Sequence, residues 1–180
     1  MADKIVYEDK AHVGRENQLF NPETGARMVA GCVCLNSTRD RVLLVSSSAK
    51  KSKWVLPKGG IELDEPEFHR AAIRETWEEA GVTGVIVGEL PVVHDMRPPK
   101  KWGTKIDNEE YIRTGVMKTP PRSEFHFFEM VVREEHDVYP ECKERTRKWF
   151  TFEDAIEELM SHNRPELAKA VEESLLKNKV

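Results

Sequence analysis

A chain of 180 residues with a formal net charge of −4 can bury a core without disulfides and is too acidic to hold nucleic acid by charge alone. Its 39% hydrophobic and 8% aromatic content is that of an ordinary globular chain, and no apolar run approaches the roughly 20 residues that span a bilayer. The start, Met1-Ala2-Asp3-Lys4-Ile5, lacks the basic and apolar segments of a secretory signal. Cys32, Cys34 and Cys142 are odd in number and read as buried free thiols in a reducing compartment. The expectation is one domain over residues 1–180, monomeric, without a membrane or nucleic-acid partner, in the cytoplasm and with the nucleus also open to it.

In chain order, residues 1–26 form a polar arm that can cover a site. Met28–Leu35 reads as a buried strand, Asn36–Asp40 as a turn, and Arg41–Ser46 as the returning strand. Ser47-Ser48-Ala49 opens a basic loop, Trp54–Pro57 is a short strand, and Lys58-Gly59-Gly60 is expected to be a loop where backbone approaches a ligand. The next segment predicts a helix: Asp64-x-x-Glu67 as capping box, Pro66 in the first turn, Gly81 just past the end. Ala71, Ala72, Ile73 and Trp77 supply its apolar side. Val82–Leu90 is a glycine-punctuated strand continued by Pro91–Val93, and residues 95–121 make a long irregular loop, either disordered or closing over substrate. Glu124–Val132 and Arg147–Phe152 are aromatic strands. Glu153–Met160 is an amphipathic helix with Ala155, Ile156, Leu159 and Met160 inward. A last helix begins at Arg164-Pro165 with the stripe Leu167, Ala168, Val171, Leu175. The order of elements indicates an α+β fold, an α/β/α sandwich.

The chemistry concentrates in Arg74-Glu75-Thr76-Trp77-Glu78-Glu79-Ala80-Gly81. Helical residues three and four apart share a face, so Glu75, Glu78 and Glu79 present three carboxylates to one patch beside Arg74. Such a patch repels itself unless a cation joins it, and oxygen ligands select Mg²⁺, Mn²⁺ or Ca²⁺ over Zn²⁺. A divalent ion so held bridges phosphate oxygens and neutralises developing charge, while a spare carboxylate serves as base. Spacing alone does not divide those roles among the three glutamates.

This stretch resembles the Nudix box, G-x5-E-x7-R-E-U-x-E-E-x-G-U with U aliphatic. Gly59, Glu65 and Arg74 to Val82 carry the resemblance, with Thr76 in an aliphatic position and eight residues instead of seven between Glu65 and Arg74. The resemblance implies a mixed central sheet between helices with the loop–helix motif (residues 59–82) in the cleft. It also implies a Mg²⁺-dependent hydrolase, with Mn²⁺ or another divalent cation as substitute. Glu75 and Glu79 would bind the metal, Glu78 would accept the proton and Arg74 would orient a glutamate.

Beyond the motif the chain is similar to the diphosphoinositol polyphosphate phosphohydrolases, particularly those of fungi. The matching pieces include Gly14–Gln18, Thr24–Arg27, Val45–Ser48, Trp54–Gly60, Asp95–Lys100, Pro121–Phe127, Lys148–Phe150 and Arg164–Leu167. That family cleaves the diphosphate of inositol pyrophosphates, and also diadenosine polyphosphates and inorganic polyphosphate. The resemblance places Arg15, Arg27, Ser47, Ser48, Lys58, Gly59, Arg122, Arg145 and Arg164 near phosphates. Lys50 stands in for a basic residue absent at Ala49, and Arg97 and Lys100 are candidates from the long loop. Such a substrate asks for guanidinium forks and ammonium point charges, with no hydrophobic base pocket. Two competing readings are a nucleotide-directed Nudix hydrolase for dinucleoside polyphosphates or capped RNA, with Trp102 stacked on the base, and a non-catalytic inositol-phosphate-binding module. The carboxylates argue against the second, because a pure polyanion binder has no use for buried acid. His126 alternates with Phe125 and Phe127 and reads as structural.

Overall fold

The strand Arg27–Leu35 (β1) is apolar on both faces and is paired on both edges, as a central strand covered from two sides must be. The computed structural model describes residues 5–12, 14, 16–97, 122–177 and 179. In chain order, β1 is followed by β2 (Val42–Ser46), β3 (Trp54–Val55), β4 (Lys58–Gly60), α1 (Phe68–Ala80), β5 (Val82–Glu89) and β6 (Val93–Asp95). Residues 98–121, most of the loop expected over 95–121, lie outside the described residues; beyond them come β7 (Ser123–Glu135), β8 (Arg147–Phe150), α2 (Phe152–Ser161) and α3 (Pro165–Glu173). β1 runs parallel to β7, from Arg27 opposite Ser123 to Leu35 opposite Val131. Every other pairing is antiparallel: β1 with β2 and β4, β2 with β3 and β8, β7 with β5 and β6. This is the expected α+β arrangement around a mixed sheet. α1 packs on β1, β4, β5 and β7, while α2 and α3 pack on each other and reach β2, β3, β8 and β6. Phe127, Leu35, Leu43, Leu44 and Ile61 are fully buried between them.

Cys32 and Cys34 are buried thiols as expected, Cys32 Sγ donating to the Ala72 carbonyl of α1 at 3.6 Å; Cys142 is only partly covered. Among the described residues no helix is long and apolar enough to cross a membrane.

Several local expectations are corrected. α1 starts at Phe68, and its N-cap, Glu67, makes no side-chain cap. The Asp64 capping box does not form because its oxygens are committed elsewhere: Asn17 Nδ2 donates to Asp64 Oδ1 at 3.0 Å, and Glu67 Oε2 accepts from Arg70 Nε at 3.1 Å. Pro66 therefore lies in the approach to the helix. Lys58-Gly59-Gly60 is a strand, with Gly59 opposite Ala30 on β1. Val93–Asp95 is a strand of its own on β7 rather than a continuation of β5. Met160 and Leu175, expected inward, are about half exposed: α3 ends at Glu173, and Leu176 turns inward in place of Leu175. Ile156 is partly buried.

The end of α1 is as the sequence indicates. Gly81 is left-handed at φ 63°, and its N–H bonds the Trp77 carbonyl at 3.0 Å. A Cβ there would lie 2.2 Å from the Tyr139 ring. Arg147 Nη1 donates to the carbonyls of Ala80 and His136, each at 2.7 Å. It thus satisfies a carbonyl the helix leaves unpaired at its C-terminus.

Candidate functional site

The acid face of α1 forms one wall of a cavity of about 680 Å³. Because β4 hydrogen-bonds to β1 directly under α1, Gly59 passes beneath the Glu75 carboxyl with no space between them. A Cβ at Gly59 would lie 2.1 Å from Glu75 Cδ, so the glycine is required by close approach. We expect Gly59→Ala to displace that carboxyl and cost about 100-fold in turnover, with an unchanged fold by circular dichroism.

Arg74 ties the acid wall together. Its Nε and Nη2 donate to the two oxygens of Glu65, both at 2.9 Å, and Nη2 also reaches the Gly60 carbonyl at 3.0 Å. Its Nη1 donates to Glu75 Oε1 at 2.7 Å and Glu78 Oε1 at 3.3 Å. The longer Glu65–Arg74 segment still delivers Glu65 to the guanidinium as a two-pronged partner, and Glu65 Oε1 accepts the Glu62 N–H as well.

Burial pushes the Glu75 carboxyl up to about 8, against the pull of Arg74 and with help from the neighbouring Glu79 and Glu78. Burial likewise pushes Glu79 up to about 7, opposed by Arg145 and Lys58. Arg145 Nη2 donates to Glu79 Oε1 at 2.9 Å, and the Lys58 N–H donates to Oε2 at 3.1 Å. Glu78 is also raised by burial, partly offset by Arg74 and the His12 N–H. Lys58 is lowered to about 8, by burial first and then by Arg164.

The other walls are basic. Arg27, Ser47, Ser48, Lys58, Gly59, Arg97, Arg122, Arg145 and Arg164 all line this cavity together with Glu75, Glu78 and Glu79. Lys50 does not: the Lys53 N–H closes a turn on the Lys50 carbonyl at 2.9 Å, and Lys50 is exposed outside the lining. Arg15, Lys100 and Trp102 lie outside the described residues. His126 is structural, its Nε2 2.9 Å from Glu124 Oε2 and its ring edge-on to Phe68 at 4.8 Å.

Three further cavity residues were given no role by the sequence reading, although Gln18 and Asp95 lie in the matching pieces. Asp95 is buried and takes Arg97 Nε at 2.9 Å and Nη2 at 2.7 Å, which fixes the guanidinium fork. Gln18 accepts from Arg27 Nε at 2.6 Å and covers Gly60. His12 donates its N–H to Glu78 Oε1 at 3.1 Å. Only the short spacing Asp95-x-Arg97 offered a signal; the other partners are distant in sequence.

Among the described residues no group of three His, Cys, Asp or Glu side chains stands ready to hold a metal ion, because Arg74 and Arg145 share the carboxylate oxygens. The donor set nevertheless fits a hard divalent cation. Glu75 and Glu79 are oxygen donors whose charge burial disfavours, and a cation would displace the protons they retain near neutral pH. The lining holds six Arg and Lys side chains beside five carboxylates, so a divalent ion on the acid wall would make the cavity cationic and suited to an anion.

A family model described as NUDIX domain matches residues 25–171. The chain is 35% identical over 152 residues to Nudix hydrolase 21, chloroplastic, of Arabidopsis thaliana, covering 82% of this chain and 66% of that protein, just under two thirds of its length. It is 36% identical over 148 residues to diphosphoinositol polyphosphate phosphohydrolase 3-beta of Homo sapiens, covering 82% and 77%. In fold it is similar to a NUDIX hydrolase from Nitrosomonas europaea, with TM-score 0.60 at 16% identity over 82% of this chain and 87% of that one. A C. elegans Ap4A hydrolase matches with TM-score 0.57 at 22% identity over 82% and 94%. The acid-faced helix, its glycine cradle and these matches agree, and the chain belongs to the Nudix family as a Nudix phosphohydrolase.

Proposed function

We propose that this Nudix hydrolase is Mg²⁺-dependent and cleaves the diphosphate group of inositol pyrophosphates, and with it diadenosine polyphosphates and inorganic polyphosphate. The observation that carries the reading is the convergence of six cationic side chains and Ser47 and Ser48 on the cavity beneath the acid helix. A ring bearing seven or eight phosphate groups is the ligand such walls suit, because guanidinium forks and ammonium charges bind each phosphate separately. The similarity to a human diphosphoinositol polyphosphate phosphohydrolase supports it.

Glu75 and Glu79 would hold the cation, which supplies charge neutralisation at the bridging phosphate oxygens. Arg145 and Lys58, placed against Glu79, bind the phosphates nearest the reacting bond. Arg27, Arg97, Arg122 and Arg164 orient the remaining phosphates. Glu78 takes the proton of the attacking water as the P–O–P bond breaks, and its burial raises its basicity for that task. Substrate and protein donate little covalent chemistry beyond this; position and positive charge carry the rate.

One observation favours a nucleotide as a second substrate class: Phe20, 44% exposed, lines the cavity, and an exposed aromatic ring there suits a base. The two are separated by measuring phosphate release from 5-diphosphoinositol pentakisphosphate, a diadenosine polyphosphate and a polyphosphate chain, with Mg²⁺ and with EDTA. The expected result is metal-dependent cleavage fastest on the inositol substrate. Faster cleavage of the dinucleotide, lost on Phe20→Ala, would overturn the inositol preference and keep the chemistry.

A further inference from the structure

Glu78 Oε1 already accepts two donors, Arg74 Nη1 and the backbone N–H of His12. A carboxylate whose one oxygen is committed twice presents its other oxygen, Oε2, as the acceptor. The second donor comes from far away in the chain, and the segment that brings it, residues 5–12, is clamped at three points. Tyr7 packs edge-on against Trp77 at 5.4 Å, and Trp77 Nε1 donates to the Glu8 carbonyl at 2.8 Å. The His12 ring closes the clamp, with Nε2 2.7 Å from Glu8 Oε2 and Nδ1 2.8 Å from Glu62 Oε1. Both ring nitrogens face carboxylates, and the hydrogen bond to Glu8, against burial and with help from Glu62, holds the His12 imidazole above its usual range. Glu62 in turn donates its N–H to Glu65, the partner of Arg74, so clamp and guanidinium belong to one network around Glu78.

We infer that residues 7–12 are a positioning strap for hydrolysis, in which the His12 side chain fixes its own N–H on Glu78 and so aims Glu78 Oε2 at the water. The inference rests on Glu78 as proton acceptor. The strap acts on the chemical step: Ala11 and His12 line the cavity, but the His12 ring nitrogens are taken by Glu8 and Glu62 and its N–H by Glu78. Trp77 is thereby assigned a task beyond packing: its indole N–H holds the strap that positions the carboxylate next to it in sequence.

The test is a double-mutant cycle on full-length protein with Mg²⁺ and the best of the three substrates. His12→Ala and, from the other end of the strap, Trp77→Phe are expected to lower kcat about 10- to 100-fold with KM within about twofold. His12→Gln, which keeps a hydrogen-bonding side chain, restores part of the loss. In a Glu78→Gln background His12→Ala has no further effect, because positioning a group that cannot take a proton gains nothing. Unchanged kcat in both single variants, or losses that add in the Glu78→Gln background, overturn the strap and leave the hydrolase reading standing. A fully active Glu78→Gln enzyme overturns the assignment of Glu78 and the strap with it. Slow amide exchange at His12 in the wild-type protein is expected independently of any variant's folding; exchange at the free-peptide rate overturns the clamp.

Discussion

Glu78→Gln is expected to lower kcat by about 10³-fold, within the usual range for loss of a positioned general base, while the melting temperature holds or rises slightly. The substitution is isosteric, and the amide oxygen keeps its place as acceptor for the His12 N–H and Arg74 Nη1. What disappears is the ability to take a proton at the other position. The fold is not expected to suffer, because burial already disfavours the charged form of this carboxyl, and a neutral amide avoids that cost. Single-turnover hydrolysis beside thermal denaturation checks both halves. Retention of the full rate sinks the assignment, and a large fall in melting temperature means that Glu78 is chiefly structural.

Arg74→Ala is expected to act the opposite way, on stability first. Its guanidinium contacts Glu65, Glu75, Glu78 and the Gly60 carbonyl from a position where its own side chain is 15% exposed. Removing one partner of a buried ionic network leaves uncompensated charge, at about 3–5 kcal/mol. For a chain of this size that corresponds to roughly 6–20 °C in melting temperature. Arg74→Lys recovers only a fraction, because a point charge cannot serve the two Glu65 oxygens and Glu75 together. Mg²⁺ is expected to restore part of the loss by taking over Glu75. A variant that melts within about 2 °C of wild type without metal would show that the carboxylates do not depend on Arg74.

Arg74 and Glu78 belong to a patch that one stretch of sequence defines. Glu75, Glu78 and Glu79 share a face because 3.6 residues per turn is a property of the covalent chain, and no tertiary contact is needed to say so. Gly81 ends α1 for an equally local reason: its left-handed φ is open to glycine at little cost. The apolar run of β1 and the aromatic alternation of β7 were legible on the same grounds, as was their place in an α+β fold.

Partners distant in the chain were not legible. Asp64 reads as a cap until Asn17, 47 residues earlier, claims its oxygen, and α1 then starts later. Arg145 and Arg147 are two residues apart in one basic run, yet one contacts Glu79 in the cavity and the other holds the last carbonyls of α1. Lys50 looks as suitable for phosphate as Lys58, yet it lies exposed in a turn closed by Lys53, outside the cavity lining. His12 carries no motif and acts on Glu78, which chain closure brings beside it; Gln18 likewise meets Arg27 only in the fold. The sequence by itself determined the acid patch, because three acids and an arginine at helical spacing share one face whatever surrounds them. The tertiary structure decided which oxygen of Glu78 is committed and which cations face the cavity, because those depend on contacts between segments that share no local geometry.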